Sequence, residues 1–303
     1  MALLGVLCLV ALVAPLLATE LPWLSRGEAG LTSPALRRWA GLETTGGGTR
    51  LLSAPVAHDP AALDLQAVLS APSPANWLGT DVLGRDMAAR LIHGSRVSLS
   101  VGLLSALFAL VLGIPLGAWA GYRGGWADAA VSRTIETALC FPTLLIALML
   151  LAAAPSWLAG ISDVLRVALV LGVTGWVPVA RYLRGEFIKL KRSDMVTAAR
   201  ALGVGHGRIM VRHILPCSLA PVLVTAAFAV GAAIAVEAAL SFLGLGVRPP
   251  VSTWGGLLAD AQEHVDRAWW LALFPGMALF LAVLGCNVLG EGVRDLLDPR
   301  HRG

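Results

Sequence analysis

The stretch from Ser193 to Pro216 carries the residues best suited to binding another protein. Ser193 can cap a helix, and Asp194 favours the positive end of the helix dipole. Gly203 is a natural helix stop, so we expect a short helix, a reversal at the glycines that follow, and a second short helix leading to Pro216. One narrow apolar face of the first helix is formed by residues at i, i+3, i+4 and i+7, which are Met195, Ala198, Ala199 and Leu202.

Two interpretations of this first helix remain open from its residues. A flat surface at Ala198 and Ala199 on a basic loop suits docking into a groove of another protein, because small side chains allow close approach and basic residues steer encounter. A helix of the same composition could instead lie on anionic lipid at a membrane surface. The residue types of this helix favour the two interpretations equally.

Charged residues elsewhere are weaker candidates for chemistry. Glu237 ends a long apolar run, and a charge at mid-bilayer costs about 2.5–3.5 kcal/mol on insertion scales. We favour capping or pairing for Glu237 over contact with a solute. Asp81, Arg85 and Asp86 are grouped as in a metal or catalytic site, but the glycines beside them favour a structured loop. We assign these four residues a gating or structural role.

The sequence contains no recognisable catalytic or metal motif. It lacks the phosphate loop GxxxxGK[ST], and it contains no GxSxG, HExxH or CxxC. The histidines and cysteines are scattered, without the spacing of a metal site or a disulfide framework. We therefore predict a chain that is not an enzyme, does not hydrolyse ATP by itself, and binds no cofactor or metal.

Long uncharged runs indicate the elements that position these residues. The 303 residues are 57% hydrophobic and 14% charged, whereas soluble domains have roughly 45–50% apolar and about 25% charged residues. A helix needs about 20 apolar residues to cross hydrocarbon. We predict an all-α integral membrane protein with about six transmembrane helices, at residues 2–18, 97–121, 133–154, 164–183, 215–240 and 268–290. The first run could be a signal peptide, but no basic residue precedes it, and we favour a retained span.

The distribution of charge predicts the orientation of the spans. Residues 184–215 carry seven Lys and Arg against only two Asp and Glu, and the positive-inside rule places such a loop in the cytoplasm. Six spans then place both termini in the cytoplasm as well. This concentration also explains the net charge of +4 without a nucleic-acid partner.

Residues 197–216 resemble a loop of the permeases of binding-protein-dependent ABC importers. The family pattern is Glu-Ala-Ala, three residues, Gly, and a tract that ends in Leu-Pro. Thr197 stands where the family often has Glu, and the matching residues are Ala198, Ala199, Gly203, Leu215 and Pro216. Other segments resemble the dipeptide, oligopeptide and nickel permeases in the same order, namely LGTDVLGRD at 78–86, GYRGGW at 121–126, FP at 141–142, EAALSFLGLG at 237–246 and GEGVRDLLDPR at 290–300. The resemblance covers residues 76–300 and is nearest to the second, C-type permease.

The resemblance implies a type I importer fold in the bacterial inner membrane and a permease subunit of an ATP-driven importer. The implied cargo is short peptides, with nickel or another small solute as the alternative. The implied partners are a second permease in a heterodimer, two ATPase subunits that hold ATP and Mg, an extracytoplasmic substrate-binding protein, and the lipid bilayer. A secondary transporter is a less favoured alternative, because no internal repeat is evident.

The apolar runs and the resemblance together divide the chain, and the resemblance assigns the contact with the ATPase. The predicted segments are the first span at 1–19, an extracytoplasmic loop and pre-span segment at 20–96, the transmembrane permease domain at 97–291, and a cytoplasmic tail at 292–303. Residues 184–215 are called the coupling loop from here on. The candidate coupling residues are Thr197, Ala198, Ala199, Leu202, Gly203, Leu215 and Pro216.

Overall fold

A computed structural model describes residues 2–21, 23–27, 30–40, 49–153 and 160–297. The chain divides into two compact units. One contains Val101–Val236 with the residues from Val283 onward, and the other contains Ala2–Ser100 with Glu237–Ala282.

The described residues are mainly helical, as the sequence predicts. The helices are α1 Ala2–Leu17, α2 Pro34–Trp39, α3 Met87–Arg123, α4 Gly125–Leu139, α5 Thr143–Ala152, α6 Asp163–Leu190, α7 Asp194–Ala201, α8 His206–Arg208, α9 Leu215–Phe242, α10 Trp254–Ala261 and α11 Trp270–Leu297. A π-helical segment, Ile209–Ile214, joins α8 to α9.

Four of the described helices, α3, α6, α9 and α11, are long and apolar enough to cross a membrane. The pair α4 and α5 passes the same test together, so the described residues contain up to five spans if the pair counts as one. Helix α1 has 16 residues, fewer than the about 20 that a span needs. The helical membrane class is therefore confirmed, whereas the number six stays a prediction.

The third predicted span is broken. The sequence predicted one helix over residues 133–154, but α4 and α5 meet at an angle of 89°. Pro142 stands at the N-cap of α5, and its missing N–H and its ring prevent α4 from continuing through it. Proline does not decide this alone, because α3, α6, α9 and α11 each contain one without being interrupted.

Helices α3 and α6 approach each other closely along three glycines. A Cβ added at Gly113 would lie 2.7 Å from the Cβ of Val179, and one at Gly117 would lie 2.5 Å from the carbonyl oxygen of Ala180. A Cβ at Gly121 would lie 2.6 Å from the carbonyl oxygen of Arg184. Small residues spaced four apart let two helix backbones come together in this way.

A small antiparallel sheet forms in the segment that the sequence predicted to be an extracytoplasmic loop. Its strands are β1 Leu24–Gly27, β2 Gly30–Thr32 and β3 Thr49–Leu52, in the order β2-β1-β3. The sheet is joined to α1 at Trp23, whose indole N–H donates to the carbonyl oxygen of Leu16 at 2.5 Å. Strands this short carry too few residues for an alternating pattern to be recognised.

We predict that Gly117→Ala lowers the thermal stability of the protein. The added methyl group would meet the backbone of Ala180, and such overpacking costs about 1–3 kcal/mol. The matched control is Gly276→Ala in α11, because a Cβ there meets nothing within 4 Å. The difference in thermal stability is measured by heating the detergent-purified variants and monitoring their unfolding by size-exclusion chromatography. Equal midpoints for the two variants would contradict the close approach of α3 and α6.

Candidate functional site

The coupling loop contains the predicted short helix and its predicted stop. Helix α7 begins at Asp194, with Ser193 at the N-cap position. The Ser193 side chain makes no capping bond, because its hydroxyl donates instead to the carbonyl oxygen of Leu190 at 2.7 Å. Gly203 has a φ of +76°, the left-handed conformation that glycine adopts at little steric cost. The prediction that Gly203 stops the helix is confirmed.

Two backbone hydrogen bonds close the C-terminal end of α7. The N–H of Gly203 donates to the carbonyl oxygen of Arg200 at 2.9 Å, and the N–H of Val204 donates to that of Ala199 at 3.0 Å. This pair of bonds is the Schellman motif, which satisfies carbonyl groups left over at a helix end. The chain therefore reverses at a defined point and returns into α8.

One face of α7 is buried within the chain. Val196 and Ala199 pack into a core cluster with Leu183 and Phe187 of α6 and with Ile209 of the π-helical segment. Ala199 is only 6% exposed. The prediction that Ala199 lies on the docking surface beside Ala198 is therefore wrong. An apolar stripe in the sequence does not say which of its edges the core covers, and here the core covers the edge that carries Ala199.

The opposite face of α7 is open and mostly apolar. The exposed residues on this side include Met195, Thr197, Ala198 and Leu202, and these four are called the docking face. Leu202 is 84% exposed, although it is a large apolar side chain. Two exposed basic residues belong to the same stretch, Arg192 before α7 and Arg200 in its last turn. An exposed apolar patch with a charged rim is typical of a protein interaction site.

The last two candidate coupling residues lie at the start of α9. Leu215 is half-buried against the same core cluster as Ala199, whereas Pro216 is exposed. Pro216 directly follows the π-helical segment and lies within a continuous helical run from α8 to α9. These two residues are not on α7 and are not part of the docking face.

Asp81, Arg85 and Asp86 form a structured loop ahead of α3. The Asp81 carboxylate accepts hydrogen bonds from the backbone N–H groups of Leu83 at 2.8 Å and Arg85 at 2.9 Å, and from the Arg85 side chain at 2.7 Å. The Asp86 carboxylate accepts from the N–H of Ala89 at 2.8 Å and so caps α3. Among the described residues, no group of three or more His, Cys, Asp or Glu side chains could hold a metal ion.

Arg90 joins this loop to α10. Its guanidinium contacts the Asp81 carboxylate, and it also donates to Asp260 at 2.9 Å and to Ser252 at 3.3 Å. The indole N–H of Trp254 adds a second connection by donating to the carbonyl oxygen of Leu91 at 3.1 Å. The sequence analysis missed Arg90 and Asp260, because residues 170 positions apart show no spacing pattern.

Glu237 is fully buried among protein groups. Its carboxyl group accepts a hydrogen bond from the Ser241 hydroxyl at 2.7 Å, and the Ser98 hydroxyl lies 3.5 Å away. The oxygen of Ser98 accepts in turn from the N–H of Trp254 at 3.1 Å. Glu237 thereby connects α9 to α3 and α10. This arrangement supports the predicted role in pairing.

A cavity of about 470 Å³ lies beside the break between α4 and α5. Most of its wall is apolar and comes from α3, α4, α5, α6 and α9. Two of its hydroxyl groups are already used within their own helices, since Ser105 donates to the carbonyl oxygen of Val101 at 2.6 Å and Thr174 to that of Leu171 at 3.0 Å. The cavity therefore offers few polar groups that could hold a solute tightly.

Comparisons with known proteins agree with the resemblance described above. Residues 113–303 match the family described as "Binding-protein-dependent transport system inner membrane component". The dipeptide transport system permease protein DppC of Alkalihalophilus pseudofirmus is 41% identical over 235 residues, covering 77% of this chain and 75% of that protein. The glutathione transport system permease protein GsiD of Pectobacterium atrosepticum is 38% identical over 237 residues, covering 78% and 77%.

A solved structure shows the same fold at low sequence identity. It is an inward-facing conformation of the MetNI methionine ABC transporter, with a TM-score of 0.54 and 16% identity. The match covers 68% of this chain and 97% of the matched chain. The importer permease fold is thus confirmed.

We predict that Ala199→Asp destabilises the protein and that Ala198→Asp does not. The first change places a charge in the core cluster, where an unpaired buried charge costs about 3–5 kcal/mol. The second change places the same side chain in solvent on the same helix. Thermal unfolding of the two purified variants measures this difference. Equal stability of the two would contradict the burial of Ala199.

Proposed function

Since the chain belongs to the family of inner membrane components of binding-protein-dependent transport systems, we propose that it is one permease subunit of an ATP-driven importer of short peptides. The relatives at 38–41% identity, named for dipeptide and glutathione transport, support a peptide cargo. The subunit pairs with a second permease, and two ATPase subunits hold ATP and Mg. A substrate-binding protein delivers the cargo from outside the cell. This chain hydrolyses no ATP itself.

The docking face of α7 is the observation that carries the coupling role. It presents an exposed apolar surface in the loop that the charge distribution assigns to the cytoplasm, which is where the ATPase subunits lie. Ala198 allows a close approach, Leu202 supplies apolar area, and Arg192 and Arg200 favour encounter with an acidic surface. An ATPase groove would cover these side chains. Both termini lie on the same side of the membrane as this loop.

The buried face of α7 gives a route from the ATPase to the spans. Val196 and Ala199 pack against α6, and the same core cluster includes Val222 of α9. Closely packed side chains transmit displacement, because they leave no space to absorb it. When ATP closes the ATPase dimer and moves α7, the neighbouring ends of α6 and α9 follow, and the permease changes between two states.

The cavity beside the break between α4 and α5 fits a wall of the transport path. A path must let the cargo leave as well as enter, and a mostly apolar wall with internally bonded hydroxyl groups binds a hydrated peptide weakly. Selectivity then resides in the binding protein, which meets the cargo first.

We predict that the complete complex, reconstituted in liposomes and assayed together with its binding protein, takes up radiolabelled di- and tripeptides. This uptake should depend on ATP. Relatives with peptide-transport names are the basis for this expectation. Nickel ions, assayed under the same conditions, serve as the competing cargo. Uptake of nickel without uptake of any peptide would contradict the proposed cargo while leaving the permease role intact.

We also predict that Ala198→Asp and Leu202→Asp abolish ATPase recruitment and ATP-driven uptake. Either change buries an unpaired charge in the docked interface, and such a charge weakens binding by about 3–5 kcal/mol. The matched control is Ala198→Ser, which keeps a small uncharged side chain. Pull-down of the ATPase at matched permease abundance, followed by peptide uptake, measures both effects. Wild-type recruitment by both Asp variants would favour the alternative in which α7 lies on lipid.

A further inference from the structure

The side chain of Tyr122, near the C-terminal end of α3, contacts three parts of the coupling loop. Its hydroxyl oxygen lies 2.8 Å from Nδ1 of His206 in α8. Its ring centre lies 5.5 Å from Nζ of Lys191 and 5.9 Å from the guanidinium carbon of Arg200. Lys191 precedes α7, Arg200 belongs to its last turn, and His206 follows it. The Tyr122 side chain therefore contacts a residue before α7, a residue in its last turn and a residue in the segment that follows it.

Packing fixes the ring of Tyr122, and its hydroxyl group is available for the hydrogen bond to His206. The residue is 7% exposed, and it belongs to the core cluster that contains Phe187, Val196 and Ala199. A buried tyrosine combines apolar packing with one polar handle. Phenylalanine would fill the same space, so the hydroxyl is the part of the side chain that packing does not require.

The hydrogen bond to His206 falls among three glycines of the coupling loop. A Cβ added at Gly203, Gly205 or Gly207 would meet no described residue within 4 Å. Val204 packs against the core cluster, but His206 supplies the side chain between Gly205 and Gly207. Helix α7 has eight residues, and isolated helices shorter than about 12–15 residues are marginal in water. Its position therefore depends on the packing of Val196 and Ala199 and on contacts at its ends.

We propose that Tyr122 is a positioning residue that fastens the coupling loop to α3 through its hydrogen bond with His206. By this contact α7, the reversal after it and the end of α3 move together when the ATPase subunits close. Movement of α7 is then transmitted to α3 as well as to α6 and α9. The inference rests on the proposed function, because it requires that α7 dock on an ATPase.

Loss of this hydrogen bond leaves the docking face unchanged but loosens its connection to the spans. In the reconstituted complex, Tyr122→Phe and His206→Ala are each expected to lower the peptide taken up per ATP hydrolysed by roughly three- to tenfold, the range for one hydrogen bond. ATPase recruitment should stay at the wild-type value, and thermal stability should fall by no more than the few degrees that one hydrogen bond contributes. The double variant should be no worse than either single variant, because both remove the same bond.

Two further variants separate this role from a general effect of the loop. His206→Gln retains a side-chain acceptor for the Tyr122 hydroxyl and should recover part of the lost uptake. His213→Ala serves as the control, because the ring nitrogen of His213 faces the carbonyl oxygen of Arg208 at 3.4 Å instead. It should leave the ratio of uptake to ATP hydrolysis unchanged.

The outcomes distinguish this inference from the proposed function. If the wild-type complex transports peptide and Tyr122→Phe does so with an unchanged ratio, the inference alone is overturned. Additive losses in the double variant, or a parallel fall in stability and ATPase recruitment, would also overturn it, since both indicate a general structural role. A wild-type complex without ATP-driven uptake of any peptide would overturn the proposed function, and this inference with it.

Discussion

An eight-residue helix makes too few backbone hydrogen bonds to persist by itself in water, so α7 depends on the burial of Val196 and Ala199 against α6 and the π-helical segment. This packing fixes which face of α7 remains exposed. It also puts the exposed residues and the contact with α6 on opposite sides of one short helix. In the proposed function, docking and transmission therefore use opposite faces of the same helix.

Buried polar groups set a second constraint, in the unit that contains Ala2–Ser100 and Glu237–Ala282. A charge removed from water must be paired or hydrogen-bonded, or it destabilises the fold. Arg90 meets this requirement by contacting Asp81 and Asp260, and Glu237 meets it through Ser241 and Ser98. These contacts join α3 to α9 and α10. The residues that look most reactive in the sequence thus hold helices together.

In the unit that contains Val101–Val236, the break between α4 and α5 and the glycines of α3 have opposite effects on the space between helices. Gly113 and Gly117 bring α3 against α6, which removes space between these helices. The 89° bend beside Pro142 does the opposite, and a cavity of about 470 Å³ lies next to it. A permease needs both, because a closely packed part transmits movement while an open part gives a solute room to pass.

The sequence alone determined the features that depend on neighbouring residues: the helical membrane class from its apolar runs, the short helix before Gly203, and the left-handed turn at that glycine. Hydropathy and backbone preference act locally, so they can be inferred without a fold. Only the tertiary structure decided that Ala199 faces inward while Ala198 faces out, that Arg90 pairs with Asp260, and that Tyr122 meets His206. Each of these depends on which distant helix comes to lie beside the residue, and helix packing sets that.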